Sequence, residues 1–277
     1  MKKNKLASQI AIYAVMVALS IFVLLPIYYL IVTTFKTSTE AALAPMALPT
    51  SWDFSGYINA FEKMQYPRAF KNTFIITGTS VCMLVVLASM CGYVLNRKAK
   101  YKVVQIVFLL FLSGMMFPYQ MSILGLYKII QQLNLMNSLL AVILINIATH
   151  LPFSIFLFRS FVSTIPYELE EAAKIDGAGI FRTFWVITFP LMKPIIATVA
   201  ILDTLTIWND FMGPLYFLQS REKGVILQEV YRNVGQFSTD WTSLFPMMVL
   251  GVLPLLVFYL FMQRYIIGGV MSGSVKG

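Results

Sequence analysis

Residues 72–96 read NTFIITGTSVCMLVVLASMCGYVLN, 25 positions between Lys71 and Arg97 without a Lys, Arg, Asp, Glu or His. A hydrocarbon core about 30 Å thick takes about 20 apolar residues to cross as a helix. A lipid-facing backbone must satisfy its own hydrogen bonds, so the stretch is read as helical. Comparable uncharged runs lie between Lys5 and Lys36, Lys102 and Lys128, Lys128 and His150, and Asp240 and Arg264. Six spans are expected, at about 9–33, 70–95, 103–124, 138–158, 194–217 and 243–264. The expected fold class is an all-α membrane protein.

Composition agrees. Of 277 residues, 58% are hydrophobic and 12% charged, with a mean hydropathy of +0.76. Soluble domains carry about 25% charged residues. The net charge of +9 is read as the Lys and Arg that fix membrane orientation, and not as a nucleic-acid surface. Thirteen basic residues fall on the side that holds the N-terminal tail, the 97–102 loop, the 159–194 segment and the C-terminal end. The eight on the other side are largely balanced by six acids there. The first side is therefore expected to be cytoplasmic, with both termini inside. The run after Met1-Lys2-Lys3-Asn4-Lys5 spans 30 uncharged positions. A secretory leader's apolar region has about 7–15, so an uncleaved first span is expected. Cys82 and Cys91 would lie about 13 Å apart along one helix, too far for a disulfide. The long outer segments 35–68 and 218–242 are read as docking surfaces or caps, or else as solvated connectors.

The cytoplasmic segment 159–194 is the most informative. It contains Pro166, then Glu168-Leu169-Glu170-Glu171-Ala172-Ala173-Lys174-Ile175-Asp176-Gly177-Ala178-Gly179. Ser163 or Thr164 is expected to cap a helix with Pro166 in its first turn. Glu168, Glu170 and Glu171 sit where the helix dipole favours anions. Gly177 is placed to end the helix in a left-handed conformation. A second short helix, about 179–188, is expected to follow and to be broken by Pro190. Ala172 and Ala173 lack bulk and leave room for another surface. Phe181, Phe184 and Trp185 need burial against something.

This stretch resembles the EAA loop of ABC importer permeases. Glu171-Ala172-Ala173, Asp176-Gly177-Ala178, Phe184, Ile187, Pro190 and Pro194 are similar to the MalG-like, carbohydrate-uptake branch. So are Leu151-Pro152-Phe153, Trp208-Asn209-Asp210-Phe211 and the C-terminal Gln263-Arg264-Tyr265 through Gly277. The resemblance implies a single transmembrane domain over 1–277, with its core at about 70–265. It implies six helices with both termini cytoplasmic, a coupling helix between the fourth and fifth within the loop 159–194, and a cytoplasmic tail at 266–277. It implies a MalF-like second permease, two ATPase subunits (identical or not) that bind ATP and Mg, an extracellular solute-binding protein and a carbohydrate substrate. The coupling residues implied are Glu170, Glu171, Ala172, Ala173, Asp176, Gly177 and Ala178. Gly273, Ser274, Val275, Lys276 and Gly277 are implied to reach the ATPase. The chain carries no match to G-x-x-x-x-G-K-[ST], so the phosphate-binding loop of an ATPase is absent from it and no cofactor of its own is expected.

Asp203 and Asp210 are the acids within the expected spans. Ionisable groups there are costly and are functional candidates. Seven positions apart, they are expected to share a face. With Trp208, Asn209, Asn146 and Gln120 they are candidates to line a sugar path. The alternative is a structural role, in pairs with polar groups of the partner permease. His150 is expected to be a hydrogen-bonded packing residue near Asn146, since nothing beside it completes a metal site. Two other functions are weighed. A stand-alone secondary transporter would have only Asp203, Asp210 and His150 for ion coupling, and would leave the cytoplasmic docking element unexplained. An intramembrane enzyme would have to pair a serine nucleophile with His150, and no H-E-x-x-H motif is present.

Overall fold

In the computed structural model, residues 2–235 and 239–274 are described, with side chains for 9–235 and 239–263. The elements in chain order are α1 (Lys2–Thr33), α2 (Ser38–Leu43), α3 (Ser55–Lys63), α4 (Tyr66–Arg97) and α5 (Lys102–Gly114). Next come α6 (Tyr119–Gln132), α7 (Leu139–Val162), α8 (Glu168–Ile175), α9 (Ile180–Thr183) and a π turn (Phe184–Thr188). They are followed by α10 (Phe189–Leu191), α11 (Lys193–Trp208), α12 (Met212–Phe217), α13 (Ile226–Arg232) and α14 (Trp241–Ser274).

Among the described residues, four helices are long and apolar enough to cross a membrane: α4, α7 and the stretches Gln9–Thr33 and Trp241–Gln263 of α1 and α14. Two further helix pairs pass the same test but are bent, which gives six spans if each pair counts as one. The expected continuous third span, 103–124, is one of these pairs. Its first helix has 13 residues, about 20 Å of rise, short of the core's thickness. The chain then turns by 102° into α6. Pro118 is the physical cause: it lacks an N–H and disfavours the helical region for Phe117.

The expected fifth span, 194–217, is broken too. α11 ends at Trp208 and α12 begins at Met212. Pro214 has no N–H to donate to the carbonyl of Asp210, so one helix does not run through. Asp210 turns back instead, and its Oδ1 accepts the N–H of Gly213 at 3.0 Å. A Cβ on Gly213 would collide with that carboxylate.

The described residues fall into two compact units, one within 1–66 and 229–253 and the other within 67–228 and 254–277. In the first, residues 35–65 of the outer segment 35–68 are folded and are not a plain connector. Thr37 caps α2 by accepting the Glu40 N–H. Phe35 packs edge-on against Trp52 and Phe54, and Lys36 donates to the carbonyls of Ala44 and Pro45 at 2.8 and 3.0 Å. Asp240 accepts from Ser243 and Thr242 at the start of α14. Those bonds, Ser243 first, hold its carboxyl below the usual range.

In the second unit, one apolar core joins α4 and α7 through Leu84, Val142 and Ile145, and another joins Tyr93, Phe158, Val162 and Phe184. Helices α4 and α7 touch backbone to backbone at Gly92. A Cβ there would meet Phe158 Cβ at 2.7 Å and Arg159 N at 2.8 Å. Both cysteines are free thiols.

Candidate coupling site

The acidic helix of the 159–194 segment forms where expected, as α8, with Glu168, Glu170 and Glu171 in its first turn. Its capping differs from expectation. The Ser163 and Thr164 hydroxyls donate to the carbonyls of Ser160 and Phe161, in the last turn of α7. α8 begins after Tyr167 with no side-chain cap. The final carbonyls of the preceding helix lack the i+4 N–H of a continuing helix and can accept a further bond, and they are the nearer partners. The C-terminal end follows expectation. Gly177 has φ +79°, Gly177 N–H donates to Lys174 O at 3.0 Å, and Ala178 N–H donates to Ala173 O at 2.9 Å. These two bonds with a left-handed residue are a Schellman motif.

Pro190 does not break the second helix. The chain stays helical through Leu191, by way of the π turn at Phe184–Thr188. There the Phe189 N–H reaches back to Phe184 O. The widened turn carries the proline, whose own N–H is missing. The helix stops at Met192, before Pro194.

One face of α8 is locked to the end of α4. Glu170 is 1% exposed. Its carboxylate accepts from Arg97 Nε at 2.7 Å and from the Tyr93 hydroxyl at 2.8 Å. Arg97 also donates to Ile165 O at 3.0 Å and lies over the Tyr167 ring. Ala173, one turn on, is buried. Phe184 is buried against Tyr93, with ring centroids 5.2 Å apart. Lys174 donates to the Tyr167 hydroxyl at 2.9 Å, and this bond holds its ammonium above the ordinary pKa.

The other face is open. Glu171, Ala172, Asp176 and Gly177 are exposed and Ala178 is half-buried. Ile175 is 87% and Phe181 73% exposed, beside Ile180. Of the three aromatics expected to need burial, Phe184 is buried, Phe181 is exposed and Trp185 is partly so. The sequence-derived coupling set therefore divides: Glu170 and Ala173 face inward, and Glu171, Ala172, Asp176 and Gly177 outward. Arg97 and Tyr93, which anchor the helix, were not singled out from sequence; no spacing links them to Glu170, and Arg97 reads there only as an orientation charge. Gly273 and Ser274 end α14, their side chains undescribed, and Val275, Lys276 and Gly277 lie outside the described residues.

The intramembrane candidates do not form one face. Asp203, 2% exposed, accepts from Ser154 Oγ of α7 at 2.9 Å. Asp210 lies beyond the end of α11, so the expected shared face does not exist. Asn146, Trp208 and Asp210 do come together, with Thr77, around a cavity of about 10 Å³, enough for one water and too small for a sugar ring. Asn209 bonds back to Leu205 O, and Gln120 is exposed on α6. His150 is half-buried without a hydrogen-bond partner among the described residues, contrary to expectation; Asn146 lines the cavity instead. No group of three potential metal ligands occurs among the described residues.

A family model described as binding-protein-dependent transport system inner membrane component matches residues 84–271. The melibiose/raffinose/stachyose import permease protein MelC of Bacillus subtilis is 34% identical over 269 residues, covering 97% of this chain and 96% of MelC. The diacetylchitobiose uptake system permease protein NgcG of Streptomyces coelicolor is 31% identical over 266 residues, covering 95% and 88%. Among solved structures, that of a bacterial ABC transporter involved in the import of the acidic polysaccharide alginate contains a chain that superposes with a TM-score of 0.84. The match covers 95% of this chain and 97% of that one at 21% identity, which is a likeness of fold. Matched by the family model over most of its length and by relatives along nearly all of it, the chain belongs to the binding-protein-dependent transport system inner membrane components.

Proposed function

We propose that this chain is one of two pore-forming permease subunits of an ATP-driven importer of oligosaccharides. The observation that carries the reading is the division of α8. One face is fixed to a membrane-crossing helix by the buried Arg97–Glu170 pair, and the other presents Glu171, Ala172, Ile175 and Asp176 to a partner. A rigid, half-anchored helix transmits a displacement, whereas a solvated loop would absorb it. The partner on the open face is an ATPase that binds ATP and Mg; this chain supplies no phosphate-binding loop. A MalF-like permease completes the pore, and an extracellular solute-binding protein delivers the sugar. With each bent pair counted as one span, all six cross the membrane in this reading, with both termini and α8 on the cytoplasmic side, which the excess of basic residues there supports. ATP and the loaded binding protein shift the pore between states only through their differential affinity for them.

The sugar class comes from the relatives, whose names include melibiose, raffinose, stachyose and diacetylchitobiose. The test is uptake of radiolabelled raffinose, stachyose and diacetylchitobiose by cells with and without this chain. The expected result is loss of uptake on deletion, restoration by the chain, and persistence when a protonophore is added while ATP is maintained. Uptake that follows the proton gradient in vesicles holding this chain alone would overturn the reading in favour of a secondary transporter.

A further inference from the structure

The ends of α4 and α7 and one side of α5 border a second, open cavity of about 260 Å³, lined by Asn96, Phe108, Phe156, Arg159, Ser160 and Ser163. Its one charged wall is Arg159, in the last turn of α7. The backbone of Arg159 is pinned. Its N packs against Gly92, and its carbonyl accepts from Asn96 Nδ2 at 3.1 Å. The guanidinium carbon lies 3.7 Å from the centroid of the Phe108 ring. Stacking occupies one face of the guanidinium and leaves its N–H edge available in the plane. No carboxylate pairs with Arg159 among the described residues; the neighbouring Arg97 is the one committed to Glu170. The Ser160 hydroxyl also has no protein partner among the described residues.

A planar N–H edge beside a free hydroxyl suits a tetrahedral oxyanion. The surroundings select its source. Asn96 and Arg159 lie in the last turns of α4 and α7, which, on the membrane-spanning reading, is the level of lipid headgroups. Lys98 and Lys100 are exposed on the adjoining loop. Phe156 and the outer side chains Val103, Ile106 and Leu110 of α5 are exposed and apolar, a wall for acyl chains.

We propose that this cavity binds the phosphate headgroup of an anionic phospholipid, of the phosphatidylglycerol kind, held by Arg159 and Ser160. The inference rests on the membrane-spanning, charge-oriented reading of the chain and not on the identity of the transported sugar. Basic pockets of this sort between transmembrane helices are a known way for proteins to select anionic lipids.

The test uses the chain purified with its partners in mild detergent, delipidated and titrated with phosphatidylglycerol or phosphatidylcholine, with bound lipid counted by native mass spectrometry. Wild type is expected to retain phosphatidylglycerol preferentially, and millimolar inorganic phosphate is expected not to displace it. Arg159→Gln is expected to lower retention about fivefold, the loss of one basic contact near the surface, and Lys98→Gln to lower it less. Equal retention of the two lipids by wild type would overturn the proposal, as would displacement by inorganic phosphate. So would an unchanged Arg159→Gln protein. The two wild-type readings stand even if the variant does not fold. Lipid selection is read whether or not an ATPase co-elutes, so failure here is separable from failure of the importer reading.

Discussion

Arg97 Nε donates to Glu170 Oε1 at 2.7 Å, across 73 positions of sequence, and joins the last residue of α4 to the first turn of α8. The two side chains are 13% and 2% exposed. In that setting, removal of one partner leaves a desolvated charge, which costs about 3–5 kcal/mol. Glu170→Ala should therefore lower the melting temperature of the purified protein markedly, and Arg97→Met likewise. The pair Arg97→Met with Glu170→Leu should recover most of the loss. Additive losses in the double variant would show that the two residues act independently.

Gly92 is where α4 and α7 meet most closely. Gly92→Ala should destabilise by about 1–3 kcal/mol through overpacking, because Phe158 Cβ and Arg159 N have nowhere to go. Gly125→Ala, in α6 with open space around it, is the control and should be neutral or stabilising by about 1 kcal/mol. Thermal unfolding of both in the same detergent decides between packing and a general effect of glycine replacement.

Gly177 and Gly179 differ in backbone alone. Gly177 has φ +79°, while Gly179 has φ −72°, and neither has an atom within 4 Å of a built Cβ. Gly177→Ala should cost about 1–2 kcal/mol and loosen the end of α8, seen as faster amide exchange at Ala178. Gly179→Ala should leave exchange unchanged.

Ser154 and Asp203 are both buried and bonded to each other at 2.9 Å. Ser154→Ala strips a buried acid of its donor, at about 1–3 kcal/mol. Asp203→Asn should lower stability while sugar affinity and maximal uptake rate stay near wild type. A weakened sugar affinity with normal stability would instead place Asp203 on the path.

Much of this was legible in sequence because it is local. Uncharged runs marked the four long apolar helices, three Glu in a first turn marked α8, and Gly177 marked its end. The misreadings have physical causes. Pro118 and Pro214 break helices whose hydrophobicity alone looks continuous. Ser163 and Thr164 had carbonyls of α7 nearer than the N–H groups of α8. Pro190 was absorbed by a π turn. Which face of α8 is open depends on Arg97 and Tyr93, far away in the chain, so Glu170 and Glu171 look alike in sequence and point opposite ways in the fold.

The most direct measurement is affinity purification of the tagged chain, with identification of what co-elutes, for wild type and for Ala172→Trp. Ala172 is on the open face of α8, so the substitution adds bulk there without touching the Arg97–Glu170 anchor. Wild type should bring down a second polytopic permease and an ATPase. Ala172→Trp should keep the permease and lose the ATPase. A chain that elutes alone, or an ATPase that stays bound to Ala172→Trp, would contradict the assignment of α8 as the coupling element.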